Sequence, residues 1–191
     1  DYTVVGYQQI QGDQYAALYS ETLTVELENE FLPFLYPNQY VNFSPDSEAS
    51  KLALSMVSED TSDIDALKQI YNYVVNNLSY DYDKAETVET GYLPDVDETL
   101  STKTGICFDY AALTTAMLRS CDIPCKLQIG YTGDIKHAWI DVYIRSKGWV
   151  TNAVSFNGDS WSLMDPTFDS SADSDDCEAI QDYIGNADNY T

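Results

Sequence analysis

Lys103-Thr104-Gly105-Ile106-Cys107-Phe108-Asp109-Tyr110-Ala111-Ala112-Leu113-Thr114-Thr115-Ala116-Met117-Leu118 is the stretch on which the reading of this chain turns. From Phe108 onward it is rich in Ala, Leu and Met, which favours helix. Cys107 stands directly ahead of that run, so its thiol falls at a helix start. Unpaired backbone N–H groups and the positive end of the helix dipole favour thiolate over thiol there, and thiolate is the form that attacks a carbonyl carbon. Gly105 is read as the point where the chain turns sharply into the helix.

A nucleophilic cysteine needs a base, and the chain contains a single histidine, His137, in Lys136-His137-Ala138-Trp139-Ile140-Asp141-Val142. Asp165, in Trp161-Ser162-Leu163-Met164-Asp165-Pro166-Thr167, ends a later strand-like run and is suited to hold an imidazole in the useful tautomer. Singly, a buried small residue, a core histidine and a turn-capping acid would account for the three. Their conjunction, with the chain's one histidine in the middle, favours catalysis.

Gly-Ile-Cys-Phe-Asp-Tyr-Ala around Cys107, His-Ala-Trp at His137 and Met-Asp-Pro-Thr-Phe around Asp165 together resemble the signature of the transglutaminase-like superfamily. This is a papain-like group of transglutaminases, microbial cysteine proteases and amidases. The likeness runs from about Ile64 to Phe168 and implies nucleophile, base and orienting carboxylate roles for Cys107, His137 and Asp165. It also implies that an upstream side chain helps hold the oxyanion, for which Tyr80, Tyr82 and Tyr92 are candidates beside simple packing. Cys121-Asp122-Ile123-Pro124-Cys125-Lys126 resembles the turn leading out of the family's nucleophile helix, with an aspartate where glycine is common.

The flanking pattern supplies an α+β fold. Four strand-like runs follow the helix, at Lys126 to Tyr131, His137 to Arg145, Trp149 to Ser155 and Ser160 to Asp165. Gly133-Asp134, Lys147-Gly148 and Asn157-Gly158-Asp159 separate them as hairpin turns, so an antiparallel sheet packs on the nucleophile helix. In the second strand Ala138, Ile140, Val142 and Ile144 share one face, and His137, Trp139, Asp141 and Tyr143 the other. Upstream, Ser44-Pro45-Asp46 starts one helix, and Ser62 with Asp65 starts a second that carries Ile64, Leu67, Tyr71, Val74 and Leu78 on one face and ends near Asn76-Asn77. Residues 84 to 102, with Gly91, Pro94 and several acids, read as a long loop forming a cleft wall. Residues 1 to 45 form a Tyr-rich extension of opaque role with one strand, Thr22 to Leu27. Residues 46 to 191 form the catalytic domain, with its core at 64 to 168.

The totals bound the function. A chain of 191 residues, 44% hydrophobic and 13% aromatic, is long enough for one domain with a real core. Nine basic against 32 acidic residues give a net charge of −23, which repels phosphate backbones and anionic lipid and excludes nucleic acid as a partner. No apolar stretch approaches the roughly 18 residues of a membrane span. The start at Asp1 rather than methionine is read as the result of processing or trimming, and the acidic, Tyr-rich composition as extracellular or cell-surface. No cofactor is expected. Zinc is disfavoured because the four cysteines, at 107, 121, 125 and 177, include no C-x-x-C pair, and calcium because the acidic tail lacks the spacing of an EF-hand loop. Cys121 and Cys125 read as core, and Cys177 is left either free or paired with Cys121. The expected activity is acyl transfer from a peptide or amide substrate through a thioester, foremost as a protease or amidase. A glutamine transglutaminase and an inactive binding module are the alternatives.

Overall fold

The computed structural model describes residues 1–132, 135–156 and 161–162, which divide into two units, Asp1–Leu32 and Pro33–Thr191. The first unit is an antiparallel hairpin of β1 (Tyr2–Gln11) and β2 (Gln14–Leu23), closed by a two-residue turn in which Gly12 takes the left-handed conformation. The single strand expected at Thr22 to Leu27 is therefore corrected to two long strands that stop at Leu23. The correction has a physical reason. Tyr2, Val4, Tyr7, Ile10, Tyr15 and Leu18 are all exposed, so neither face is buried and no period-two pattern marks the strands.

The second unit is built around one helix. In chain order its elements are α1 (Glu48–Met56), α2 (Asp63–Asn77), β3 (Ser79–Tyr80), α3 (Tyr82–Thr87), α4 (Val96–Thr102), β4 (Thr104–Gly105) and α5 (Cys107–Ser120). The strands β5 (Cys125–Thr132), β6 (Ile135–Ile144), β7 (Gly148–Phe156) and β8 (Trp161–Ser162) then form an antiparallel sheet in that order. Every residue of α5 from Asp109 to Arg119 is buried. A helix that is apolar nearly all round belongs in a core, and α5 is packed between the β5–β6–β7 sheet and helices α1, α2 and α4. The expected α+β layout, a cysteine-bearing helix against an antiparallel sheet, is the one adopted. Ala138, Ile140, Val142 and Ile144 are all buried, as the alternation in β6 requires.

Helix ends follow their caps. Ser62 begins α2, its hydroxyl accepting from the Asp65 N–H at 3.1 Å. At the other end of α5 the Ile123 N–H bonds the Leu118 carbonyl and the Asp122 N–H the Arg119 carbonyl, both at 3.1 Å, which is a Schellman closure. Asp122 occupies its left-handed position at φ 56°, the place where glycine is otherwise favoured and aspartate is tolerated. The segment 84 to 102 is corrected from a loop to two short helices with a connection between them. Each is capped by an aspartate, Asp81 accepting from the Lys84 N–H and Asp95 from those of Asp97 and Glu98. Val41, in the segment before α1, is fully buried in the core. No helix among the described residues is long and apolar enough to cross a membrane.

Candidate active site

Cys107 is the first residue of α5, and His137 is the third residue of β6. Both line one cavity of about 300 Å³, together with Tyr80, Tyr92, Phe108 and Ala138. The backbone delivers them separately. Two parallel residues of β3 and β4 pair Tyr80 with Gly105, and the Asp81 N–H bonds the Gly105 carbonyl at 2.9 Å, so Tyr80 is tied to the strand that enters α5. The His137 ring lies nearly parallel to that of Trp139, 6.3 Å between centroids, and Trp139 in turn covers Gly130. A Cβ at Gly130 would stand 2.6 Å from the Trp139 ring, so glycine is what lets the tryptophan lie flat there.

The electrostatics of the thiol differ from the sequence expectation. Burial pushes the Cys107 thiol up from its ordinary value, and this outweighs the Ala138 and Phe108 backbone N–H groups and the Tyr80 hydroxyl, which pull it down. Burial also holds the His137 imidazole below its usual value. The resting pair is thus drawn towards neutral thiol and neutral imidazole, rather than towards a free-standing thiolate. Burial pushes Cys125, fully buried, up to about 12 and Cys121, half-buried, up to about 11; both pack on the core as expected.

The three tyrosines separate. Tyr80 lines the cavity beside Cys107, and burial raises its phenol above the ordinary value, so it stays protonated. Tyr82 packs edge-on against Tyr80, 5.0 Å between centroids, with most of its surface in solvent, and is not among the residues lining the cavity. Tyr92 lines the cavity but gives its hydroxyl hydrogen to the Asp109 carboxylate. Asp165 lies outside the described residues, as does Cys177.

Two residues that the sequence did not single out hold this site together. Asp109, in the first turn of α5 and fully buried, accepts from the Ile106 N–H at 2.8 Å and from the Lys84 ammonium at 2.8 Å. Lys84 also reaches the Tyr92 hydroxyl at 2.7 Å. The carboxylate thereby fixes the N-terminus of the cysteine helix to α3 and to the Tyr92 wall. Only the Asp109 half of a capping box is present, because the Ile106 side chain has no acceptor, so the sequence marks neither Asp109 nor Lys84. Gly105 serves this cluster and not a left-handed turn, because a Cβ there would meet the Asp109 Cβ at 2.6 Å.

A cysteine opening a buried helix, in a cavity shared with a histidine on an antiparallel sheet, defines a papain-like α+β class. The chain belongs to the transglutaminase-like superfamily, whose core model matches residues 50–166. It is 40% identical over 62 residues to a UPF0252 protein of Methanocaldococcus jannaschii, covering 30% of this chain and 18% of that one. It is 25% identical over 154 residues to the uncharacterized protein YebA of Bacillus subtilis, covering 69% of this chain and 21% of that one. It therefore spans about a fifth of the length of these relatives. Among solved structures it is similar to a Cytophaga hutchinsonii protein described as a candidate cysteine protease. The TM-score is 0.52 at 23% identity, over 70% of this chain and 43% of that one, a likeness of fold.

Proposed function

We propose that the protein is a cysteine hydrolase of peptide or amide bonds, and the observation that carries this reading is the single cavity lined by Cys107, His137 and Tyr80. The Cys107 sulfur attacks the amide carbonyl carbon as its proton passes to His137. The carbonyl oxygen becomes an oxyanion held by the Cys107 N–H and by the Tyr80 O–H, which turns onto it. Collapse breaks the C–N bond, His137 returns the proton to the leaving amine, and a thioester remains. Water, deprotonated by His137, then splits the thioester to a carboxylic acid and restores the thiol. Asp165 has the role of orienting the imidazole, by its place in the order Cys, His, Asp.

The neutral pair and the thiolate–imidazolium pair hold the same number of protons, so both belong to one macroscopic state. That state is lost when a second proton reaches the imidazole in acid and when the pair's remaining proton leaves in alkali. With the imidazole lowered and the thiol raised by burial, kcat/KM is expected to stay flat from below about pH 6.5 to above about 8.5 and to fall outside that range.

Digestion of a proteome-derived peptide library, read by mass spectrometry, tests the reading. Cleavage by the wild type, lost on Cys107→Ala and on His137→Ala, is expected; cleavage that persists in Cys107→Ala overturns it. A glutamine peptide incubated with a fluorescent amine measures the competing outcome, since stable amine incorporation would make the enzyme a transglutaminase instead.

A further inference from the structure

A second cavity, of about 280 Å³, is lined by Phe34, Tyr40, Arg119, Lys126, Leu127 and Gln128, among others. Among the described residues neither of its two cations has an ion pair with an acid; Asp141, opposite Lys126 across β5 and β6, accepts instead from Gln128 at 2.9 Å. Arg119 is only 4% exposed, yet its hydrogen bonds go to main-chain carbonyls, Cys125 at 3.1 and 2.8 Å and Tyr36 at 2.6 Å. Lys126 sits over the rings of Trp149, at 3.7 Å, and Phe34, at 4.8 Å, with no carboxylate in an ion pair with it among the described residues. In a protein of net charge −23, two cations lining one cavity against one nearby carboxylate, Asp141, leave a local positive excess among the described residues. Arg119 keeps an N–H on each terminal nitrogen beyond those given to the carbonyls.

This cavity is connected to the Cys107 cavity in two ways. Tyr40, in its wall, packs on Phe108, which lines the other, with 6.1 Å between ring centroids. And β5, at the edge of its sheet, contributes Leu127 to one cavity and Ile129 to the other. The Pro124 carbonyl bonds the Tyr143 N–H on the β6 side, so alternate residues from Cys125 onward turn their backbone groups outward, and Arg119 takes the first of these carbonyls. Among the described residues none bonds the outward N–H and C=O of Leu127 and Ile129, and Ile129 is 41% exposed. An unpaired edge of this kind is a template for an extended peptide.

We propose that the substrate peptide lies extended along the free edge of β5, and that the Arg119–Lys126 cavity takes the side-chain carboxylate of a Glu or Asp near the bond presented to Cys107. Successive residues on a strand advance about 3.3 Å, so the acid stands about two to four residues from that bond. The net charge of the enzyme repels a polyacidic chain, which makes the ligand a peptide with one acid at this position and neutral or basic residues elsewhere. The inference rests on the reading of the Cys107 cavity as the acyl site, and it is tested separately from it.

Fluorescence anisotropy of the full chain carrying Cys107→Ala measures binding without turnover. The probes are labelled, end-blocked octapeptides of Ala, Ser and Tyr that carry one Glu, the same peptides with Gln, and a Gln peptide with a free C-terminal carboxylate. The expected result is binding of the Glu peptides about tenfold tighter than of the Gln peptides, as loss of a charge-assisted bidentate contact implies. That preference should vanish on Lys126→Met, which keeps the apolar stem between the rings, and reverse towards Lys peptides on Lys126→Glu. Equal binding of Glu and Gln, a preference unmoved by both variants, or a preference for the C-terminal carboxylate alone overturns the proposal. In the library digestion the same enrichment for one acid near the cut, lost in Lys126→Met while other peptides are still cleaved, fixes the register. Discrimination in binding without any cleavage would sink the hydrolase reading and leave the acidic subsite standing.

Discussion

The two ends of α5 carry opposite charges into the core and treat them differently. At the first turn Asp109 is fully buried and meets an ammonium, a phenol and a backbone N–H. At the last turn Arg119 is 4% exposed and, among the described residues, hydrogen-bonds only to carbonyls. Each sign suits its end of the helix dipole. The difference is that the carboxylate is neutralised inside the fold, whereas the guanidinium keeps its full charge beside a cavity. A closed cluster of this kind serves to hold structure, here the cysteine helix against its wall, and an uncancelled buried cation is left with charge to offer a ligand.

Removing the closed cluster should cost most. Asp109→Ala leaves the buried Ile106 N–H without an acceptor and Lys84 without its counter-ion, for a loss of about 3 kcal/mol after allowing for the partial exposure of Lys84. Urea unfolding measures this as a lowered midpoint at unchanged slope. Because the cluster also pins the Tyr92 wall, activity per folded molecule should fall as well. The open end should matter less: Arg119→Met keeps apolar volume but orphans the Cys125 and Tyr36 carbonyls, at about 2 kcal/mol. If the order of these two losses were reversed, the guanidinium would be the structural residue, and the contrast between the ends would be wrong.

The contrast also explains what the sequence could reveal. Cys107 and His137 were legible because the chain has one histidine and because a thiol before an Ala- and Leu-rich run announces a helix start. The alternation of β6 was legible because one face is buried. The β1–β2 hairpin was not, since both its faces are exposed and periodicity records burial rather than strand as such. Two short helices were hidden under the acids, Gly91 and Pro94 of residues 84 to 102, although Asp95 and Glu98 have the spacing of a capping box. Lys84 was invisible for another reason. Its partner lies 25 residues away, and only tertiary packing brings a lone lysine onto Asp109. Nothing in the sequence marks Arg119; that it meets no acid among the described residues is a fact of three dimensions.

The smallest expected effect sharpens the comparison most finely, because it removes one bond of the closed cluster and leaves its charges in place. Tyr92→Phe deletes the phenol that donates to Asp109 while Lys84 and the Ile106 N–H remain, so the loss at neutral pH should be about 1 kcal/mol. Burial and the neighbouring carboxylate raise the Tyr92 phenol to about 12. A pKa raised in the folded state means that the protonated form is the one stabilised. Its contribution is therefore whole below the unfolded value of about 10 and disappears as pH rises through about 12. The difference in urea midpoint between wild type and Tyr92→Phe should accordingly be constant from pH 7 to 9 and shrink beyond about 10. A difference that persisted undiminished above that range would mean that the loss does not come from the phenol's proton on Asp109, since the ring and its packing against Phe108, 6.3 Å between centroids, are common to both proteins.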